Sequence, residues 1–139
     1  MRVADIIRVK GSDVVTLQPS ASVADALATL TEHRIGAVVI VSDDEPVGIV
    51  SERDVVRHLA GSSDTAEPVT HIMTTSLATC VMDDDLTDLA TVMTQRRIRH
   101  LPVVDGTRLV AIVSIGDVVK ARLDDLEAER DHLKGYVHG

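Results

Sequence analysis

The sequence contains no tryptophan and no phenylalanine, and its one tyrosine is Tyr136. Without aromatic rings there is no platform on which unpaired bases could stack. Positive charge is also scarce: 14 Lys and Arg stand against 22 Asp and Glu, a net charge of −8. Such a field repels phosphate backbones and anionic lipid headgroups, so neither nucleic acid nor a membrane surface is an expected partner. The single cysteine, Cys80, allows no disulfide within the chain, which points to a reducing, cytoplasmic setting. No apolar run approaches the roughly 18–20 residues that a membrane span needs, and no signal-type apolar core opens the chain. The six histidines are scattered, with no pair four apart beside an acid and no cysteine cluster, so no metal site is expected. Cys80 has no base placed beside it and reads as core rather than nucleophile.

What is present is aliphatic, 45% of 139 residues being hydrophobic, and it is said twice. Val47-Gly48-Ile49-Val50-Ser51-Glu52-Arg53-Asp54-Val55-Val56 returns as Val110-Ala111-Ile112-Val113-Ser114-Ile115-Gly116-Asp117-Val118-Val119, an offset of 63 residues. The same offset holds back to Thr16 and Thr79. Each half reads β-α-β-β-α. In the first, Val14–Leu17 is a short strand ended by Pro19. Ser20-Ala21-Ser22 supplies the cap of a helix whose Val23, Ala26, Leu27 and Leu30 share a face, and Ala37–Val41 with Val47–Val50 form a hairpin. In the second, Leu77–Val81 is the short strand and Asp83-Asp84-Asp85 caps the helix of Leu86, Leu89, Ala90 and Met93. Leu101–Val104 and Arg108–Val113 then form a hairpin turned by Asp105-Gly106. Ile72 and Met73 echo Ile6 and Ile7. Val55, Val56 and Leu59 are the expected apolar face of the helix after Ser51.

Units of this size are marginal alone, so the two are expected to pack sheet against sheet about a pseudo-two-fold axis in an α+β fold. The boundaries predicted are residues 1–61, a linker at 62–68, a second unit at 69–124, and a helix extension and tail at 125–139. The near-continuous Val/Ile runs predict strands covered on both faces. A stripe of Val119, Leu123, Leu126, Leu133 and Val137 marks a last helix that lies on its own domain or, the reading favoured, packs on a second copy of the chain, with Gly135 ending it before a tail of residues 136–139.

Two constellations carry possible chemistry. Ser51 with Asp54, and Ser114 with Asp117, fit capping boxes, yet both sit where a hairpin strand ends and a helix begins. A helix N-terminus there offers free N–H groups to an anion, and an adjacent carboxylate can accept from the two hydroxyls of a ribose. Arg99 and His100 follow Ile98 where a strand starts, and a guanidinium in the groove between halves can hold phosphate. The first half has Gly36 and Ala37 in these places, so the two clefts are unequal. Arg96 and Arg97 read as a solvated helix end.

The doubled plan, Gly48-Ile49-Val50-Ser51-Glu52-Arg53-Asp54, Arg99-His100-Leu101-Pro102-Val103-Val104 and Ser114-Ile115-Gly116-Asp117 together resemble a tandem cystathionine-β-synthase (CBS) domain pair of the stand-alone bacterial type. That resemblance implies binding of AMP, ADP, ATP, NAD or S-adenosylmethionine between the halves. It implies that Asp54 and Asp117 hold ribose, with Ser51 and Ser114 near ribose or phosphate, and that Arg99 and His100 hold phosphate. The ribose acid of one half works with the strand start of the other, so Asp54 shares a site with Arg99 and His100, and Asp117 with Gly36 and Ala37. Adenine lies near Thr16 and Thr79, and Arg53 is a candidate to add charge beside Asp54. The function implied is a non-enzymatic, homodimeric sensor of an adenine nucleotide that signals to a client protein. The alternative is a ligand-independent dimeric interaction module with vestigial clefts.

Overall fold

The computed structural model describes residues 1–138, with side chains described through Tyr136. Gly139 of the expected tail and the side chains of Val137 and His138 therefore lie outside the described residues. In chain order the elements are α1 (Val3–Lys10), β1 (Thr16–Leu17), α2 (Val23–His33), β2 (Ala37–Ser42), β3 (Glu45–Ser51) and α3 (Glu52–Gly61). After a single 3₁₀ turn at Val69–His71 come α4 (Leu86–Arg96), β4 (His100–Asp105), β5 (Arg108–Ser114) and α5 (Ile115–His138).

The offset of 63 survives in the hydrogen-bond register. Ala37 faces Ser51 and Val39 faces Ile49 in one hairpin, as His100 faces Ser114 and Pro102 faces Ile112 in the other. Even the bulge repeats, between Ile40 and Val41 and between Val103 and Val104. The first hairpin turns on Asp43 and Asp44, both at positive φ, so the strand already resumes at Glu45. Helices α2 and α4 end alike, with Arg34 and Arg97 in the left-handed region closing onto the preceding turn.

Sheet one has the order β1-β2-β3 and sheet two only β4-β5. The expected strand at Leu77–Val81 does not form; an isolated bridge between Cys80 and Val103 remains. Its cause is one residue. In the first half Thr16 pairs with Val39, and the matching partner of Thr79 is Pro102, which has no N–H to give a ladder.

The core divides into two clusters, and each half's opening segment packs on the other half. Val3, Ile6 and Ile7 of α1 join Leu86, Leu89, Met93, Leu101 and Val113. Val69, Ile72 and Met73 instead pack with Val23, Ala26, Leu30 and Val50. Backbone bonds follow the same exchange: Val3 N–H donates to the Asp84 carbonyl, and Val69 N–H to the Ala21 carbonyl. Neither cluster is complete without residues from both halves, which is the physical reason for the duplication. β3 packs against β5 to join the sheets.

Three other expectations change. Only β2 and β4 are buried along their length, whereas β3 and β5 alternate. Of the α3 face, Val55 is buried but Val56 and Leu59 are 66% and 40% exposed. Helix α5 does not stop at Gly135 but passes through it to His138. A helical glycine costs only about 1 kcal/mol, and no proline follows to break the turn.

Candidate functional site

The chain leaves β3 at Ser51 and turns at once into α3. Ser51 N–H donates to Asp54 Oδ2 at 2.8 Å, Ser51 Oγ donates to the same oxygen at 3.0 Å, and Asp54 N–H donates back to Ser51 Oγ at 3.3 Å. The capping reading is therefore correct. It uses only Oδ2, however, and among the described residues no donor reaches Asp54 Oδ1. Beside this half-used carboxylate is an open cavity of about 430 Å³, within the range of small-molecule sites.

The strand starts of both halves meet on this cavity. Gly36 and Ala37 line it together with Arg99 and His100. A Cβ on Gly36 would meet the His100 ring at 3.4 Å, an ordinary contact distance, so the two strand starts lie against each other. Four guanidiniums, those of Arg53, Arg57, Arg97 and Arg99, line the same space with only Glu52 and Asp54 as acids. Among the described residues none of these four makes an ion pair. In a protein with a net charge of −8 this is a concentrated cationic wall. Burial first, and the Lys10 ammonium next, push His100 below its usual value of 6.5, so its ring is neutral at pH 7 and the arginines supply the charge.

The second carboxylate is differently placed. Ser114 N–H donates to Asp117 Oδ2 at 2.8 Å, completing the matching cap, but the same oxygen is 2.5 Å from Lys10 Nζ. Lys10 also donates to the Ile112 carbonyl at 2.9 Å. Burial disfavours the charged carboxylate, yet the Lys10 ammonium and the Ser114 N–H outweigh it and hold the Asp117 pKa below 3.8.

The sequence profile of the CBS domain matches residues 3–61 and residues 69–124. The chain belongs to the CBS domain family. A crystal structure of a CBS-domain containing protein from Agrobacterium tumefaciens is 42% identical, covers 88% of this chain and 99% of its own, and superposes with a TM-score of 0.83. The CBS domain pair of protein MJ0100, solved with 5′-methylthioadenosine and S-adenosyl-L-methionine, is 27% identical over 90% of this chain and 98% of that one, with a TM-score of 0.81. A CBS domain protein from Pyrobaculum aerophilum complexed with AMP is 28% identical over 84% and 89%, with a TM-score of 0.77. Each of the last two is a CBS-domain protein holding an adenosine-based ligand.

Asp54, Ser51, Arg53, Arg99, His100, Gly36 and Ala37 all line one cavity. Gly36 and Ala37, expected with Asp117, are found bordering the Asp54 cavity, because the two strand starts approach each other. Thr16 and Thr79 are exposed and absent from its lining. Thr74 lines it instead, carried there by an antiparallel bridge to Ile49. Arg97 is not merely a solvated helix end: at the left-handed C-cap of α4 it lines the cavity. Arg57 was legible in principle, since it lies one helical turn after Asp54 on α3. Nothing in the sequence pointed to Thr74. Burial, and then the charge of Asp84, push the Cys80 thiol up to about 12, so it holds no thiolate at neutral pH. No group of three or more potential metal ligands gathers among the described residues, and no helix there is long and apolar enough to cross a membrane.

Proposed function

We propose that this CBS pair is a non-enzymatic regulatory module that binds an adenine nucleotide beside Asp54. The reading rests on one observation: a carboxylate with one oxygen, and four guanidiniums, without a hydrogen-bond or ion-pair partner among the described residues border the same cavity. Asp54 Oδ1 suits ribose hydroxyls, and Arg53, Arg57, Arg97 and Arg99 suit phosphates. AMP, ADP, ATP and NAD meet that description. S-adenosylmethionine carries no phosphate and suits the arginines less well. The relatives with AMP or S-adenosyl-L-methionine support an adenosine ligand. Binding across residues of both halves favours the arrangement in which they are clamped, and that shift is the signal. A reducing compartment such as the cytoplasm fits a lone buried thiol.

The signal also needs a surface. Val119, Leu123, Leu126 and Leu133 are 46–57% exposed along α5. Their alternating four-three spacing, with Arg130 filling one position, is that of a two-helix seam. In a parallel pair of α5 helices Arg122 faces Glu127 of the second copy and Glu129 faces Lys134, both attractive. A homodimer joined along α5 is therefore part of the proposal, with a client protein on another chain reading its state. A thermal-shift panel of AMP, ADP, ATP, NAD and S-adenosylmethionine tests the ligand. At least one phosphorylated nucleotide raises Tm, because a ligand of the native state stabilises it by mass action. A flat panel transfers the case to a ligand-independent interaction module.

A further inference from the structure

The two clefts of the pair share a backbone plan but are closed differently. In the first, the Ile49 carbonyl accepts from Thr74 N–H at 2.9 Å, and the space beside Asp54 stays open. In the second, the equivalent carbonyl of Ile112 accepts from Lys10 Nζ at 2.9 Å, and the same ammonium lies 2.5 Å from Asp117 Oδ2. The difference originates in chain length. The opening segments correspond at Val3 and Val69, an offset of 66, whereas the strands correspond at Thr16 and Thr79, an offset of 63. The N-terminal segment thus has three more residues to spend before its strand. It spends them on helix: α1 runs on to Lys10, while its counterpart is the single turn Val69–His71. The extra turn delivers a cation to the second carboxylate, where the first half has a backbone bridge.

We propose that Lys10 is a tethered cation standing in for ligand in the Asp117 cleft, so that the chain takes one adenine nucleotide, beside Asp54, and a second only when the ammonium is withdrawn. The inference rests on the nucleotide-binding reading above. The ammonium shares Oδ2 with the cap and leaves Asp117 Oδ1 without a donor among the described residues, so what it removes is charge: a ribose hydroxyl would meet a carboxylate already compensated by a covalently held cation. Its side chain is one-third exposed and that of Asp117 is 22% exposed, so the pair is neither sealed in nor freely solvated. A ligand, or a partner that shifts α1, can part it. The unequal clefts therefore follow from an occupant as well as from the small residues Gly36 and Ala37.

Calorimetric titration of the full chain with AMP tests this. The wild type binds one AMP per chain, Lys10→Ala binds two, and Lys10→Ala/Asp117→Ala binds one again. Lys10→Met, which keeps the aliphatic stem and loses the charge, guards against a folding artefact, and NMR titration of the Asp117 carboxyl gives a readout that needs no nucleotide. Its midpoint rises in both Lys10 variants if the ion pair exists in solution. One AMP bound by both wild type and Lys10→Ala, or two by the wild type, overturns the latch and leaves the nucleotide reading standing. An unmoved Asp117 midpoint overturns it whatever the nucleotide does. AMP bound by Lys10→Ala alone keeps the latch and overturns binding beside Asp54, whereas AMP bound by neither protein overturns the latch and leaves the nucleotide reading to the other ligands of the thermal-shift panel.

Discussion

Asp54→Ala and Asp117→Ala form a matched pair whose effects on stability are alike and whose effects on binding diverge. Each carboxylate closes a capping box with the serine three residues before it. Truncation leaves a strand-end N–H without its acceptor, at a cost of about 1 kcal/mol. Asp117→Ala also releases Lys10, but that ammonium keeps the Ile112 carbonyl and reaches water, so the added loss is small. Both variants remain folded, since a domain of this size has roughly 5–15 kcal/mol to lose. Binding separates them. If Asp54 accepts from two ribose hydroxyls, each worth about 1.5 kcal/mol or more as a charge-assisted bond, its loss weakens affinity by at least 3 kcal/mol, or about 100-fold. Asp117, engaged by Lys10, contributes nothing to the cavity at Asp54, and its truncation leaves affinity within about twofold.

Urea denaturation measures the first quantity and titration with the nucleotide chosen by thermal shift measures the second. Two small and similar stability losses with one large affinity loss is the expected pattern. Unchanged affinity in Asp54→Ala together with abolished binding in Asp117→Ala would falsify the assignment of the site. Similar affinity losses in both would mean that the effect is structural, carried through the caps, rather than ribose recognition.

Three further outcomes follow from the same geometry. Gly48→Ala drives a Cβ into the side chain of Met73, which packs directly on that backbone, and costs about 1–3 kcal/mol by chemical denaturation; an unchanged midpoint means that Met73 moves aside freely. His100 titrates below 6.5 by NMR, because burial and then the Lys10 charge disfavour the imidazolium. The fold therefore loses stability as pH falls through the unfolded value near 6.5, and the midpoint moves up in Lys10→Ala; a midpoint above 6.5 contradicts the burial argument. Leu126→Asp, at the middle of the exposed α5 stripe, halves the mass measured by light scattering without changing far-UV circular dichroism of the body, whereas a monomeric wild type removes the seam from the proposal.

How much of this was legible in the sequence depends on whether a feature was local or arose between the halves. The hairpins, helix faces and serine-aspartate caps were legible because each is encoded within a few residues of itself. Register survived for the same reason: a side-chain period of two and a shared offset leave one pairing that buries both Val runs. The missing strand at Leu77–Val81 was nearly legible. Pro102 was in plain view, but its consequence falls on a segment more than twenty residues earlier, through a ladder bond that periodicity does not register. Thr74 and Lys10 were hidden for a stronger reason. Each belongs to an opening segment that packs on the opposite half, so its neighbours are set by the exchange and not by its own repeat. Gly36 and Ala37 against Arg99 and His100 already predict unequal clefts; the three residues that break the spacing of the repeat add a second inequality, which the repeat does not show. In a duplicated fold, function is then to be sought where the copies fail to match, and here the mismatch ends on Asp117. A chain with α1 shortened by those three residues should lose the Lys10 contact and gain a second open cleft, since the backbone around Ser114 already has the form of that around Ser51.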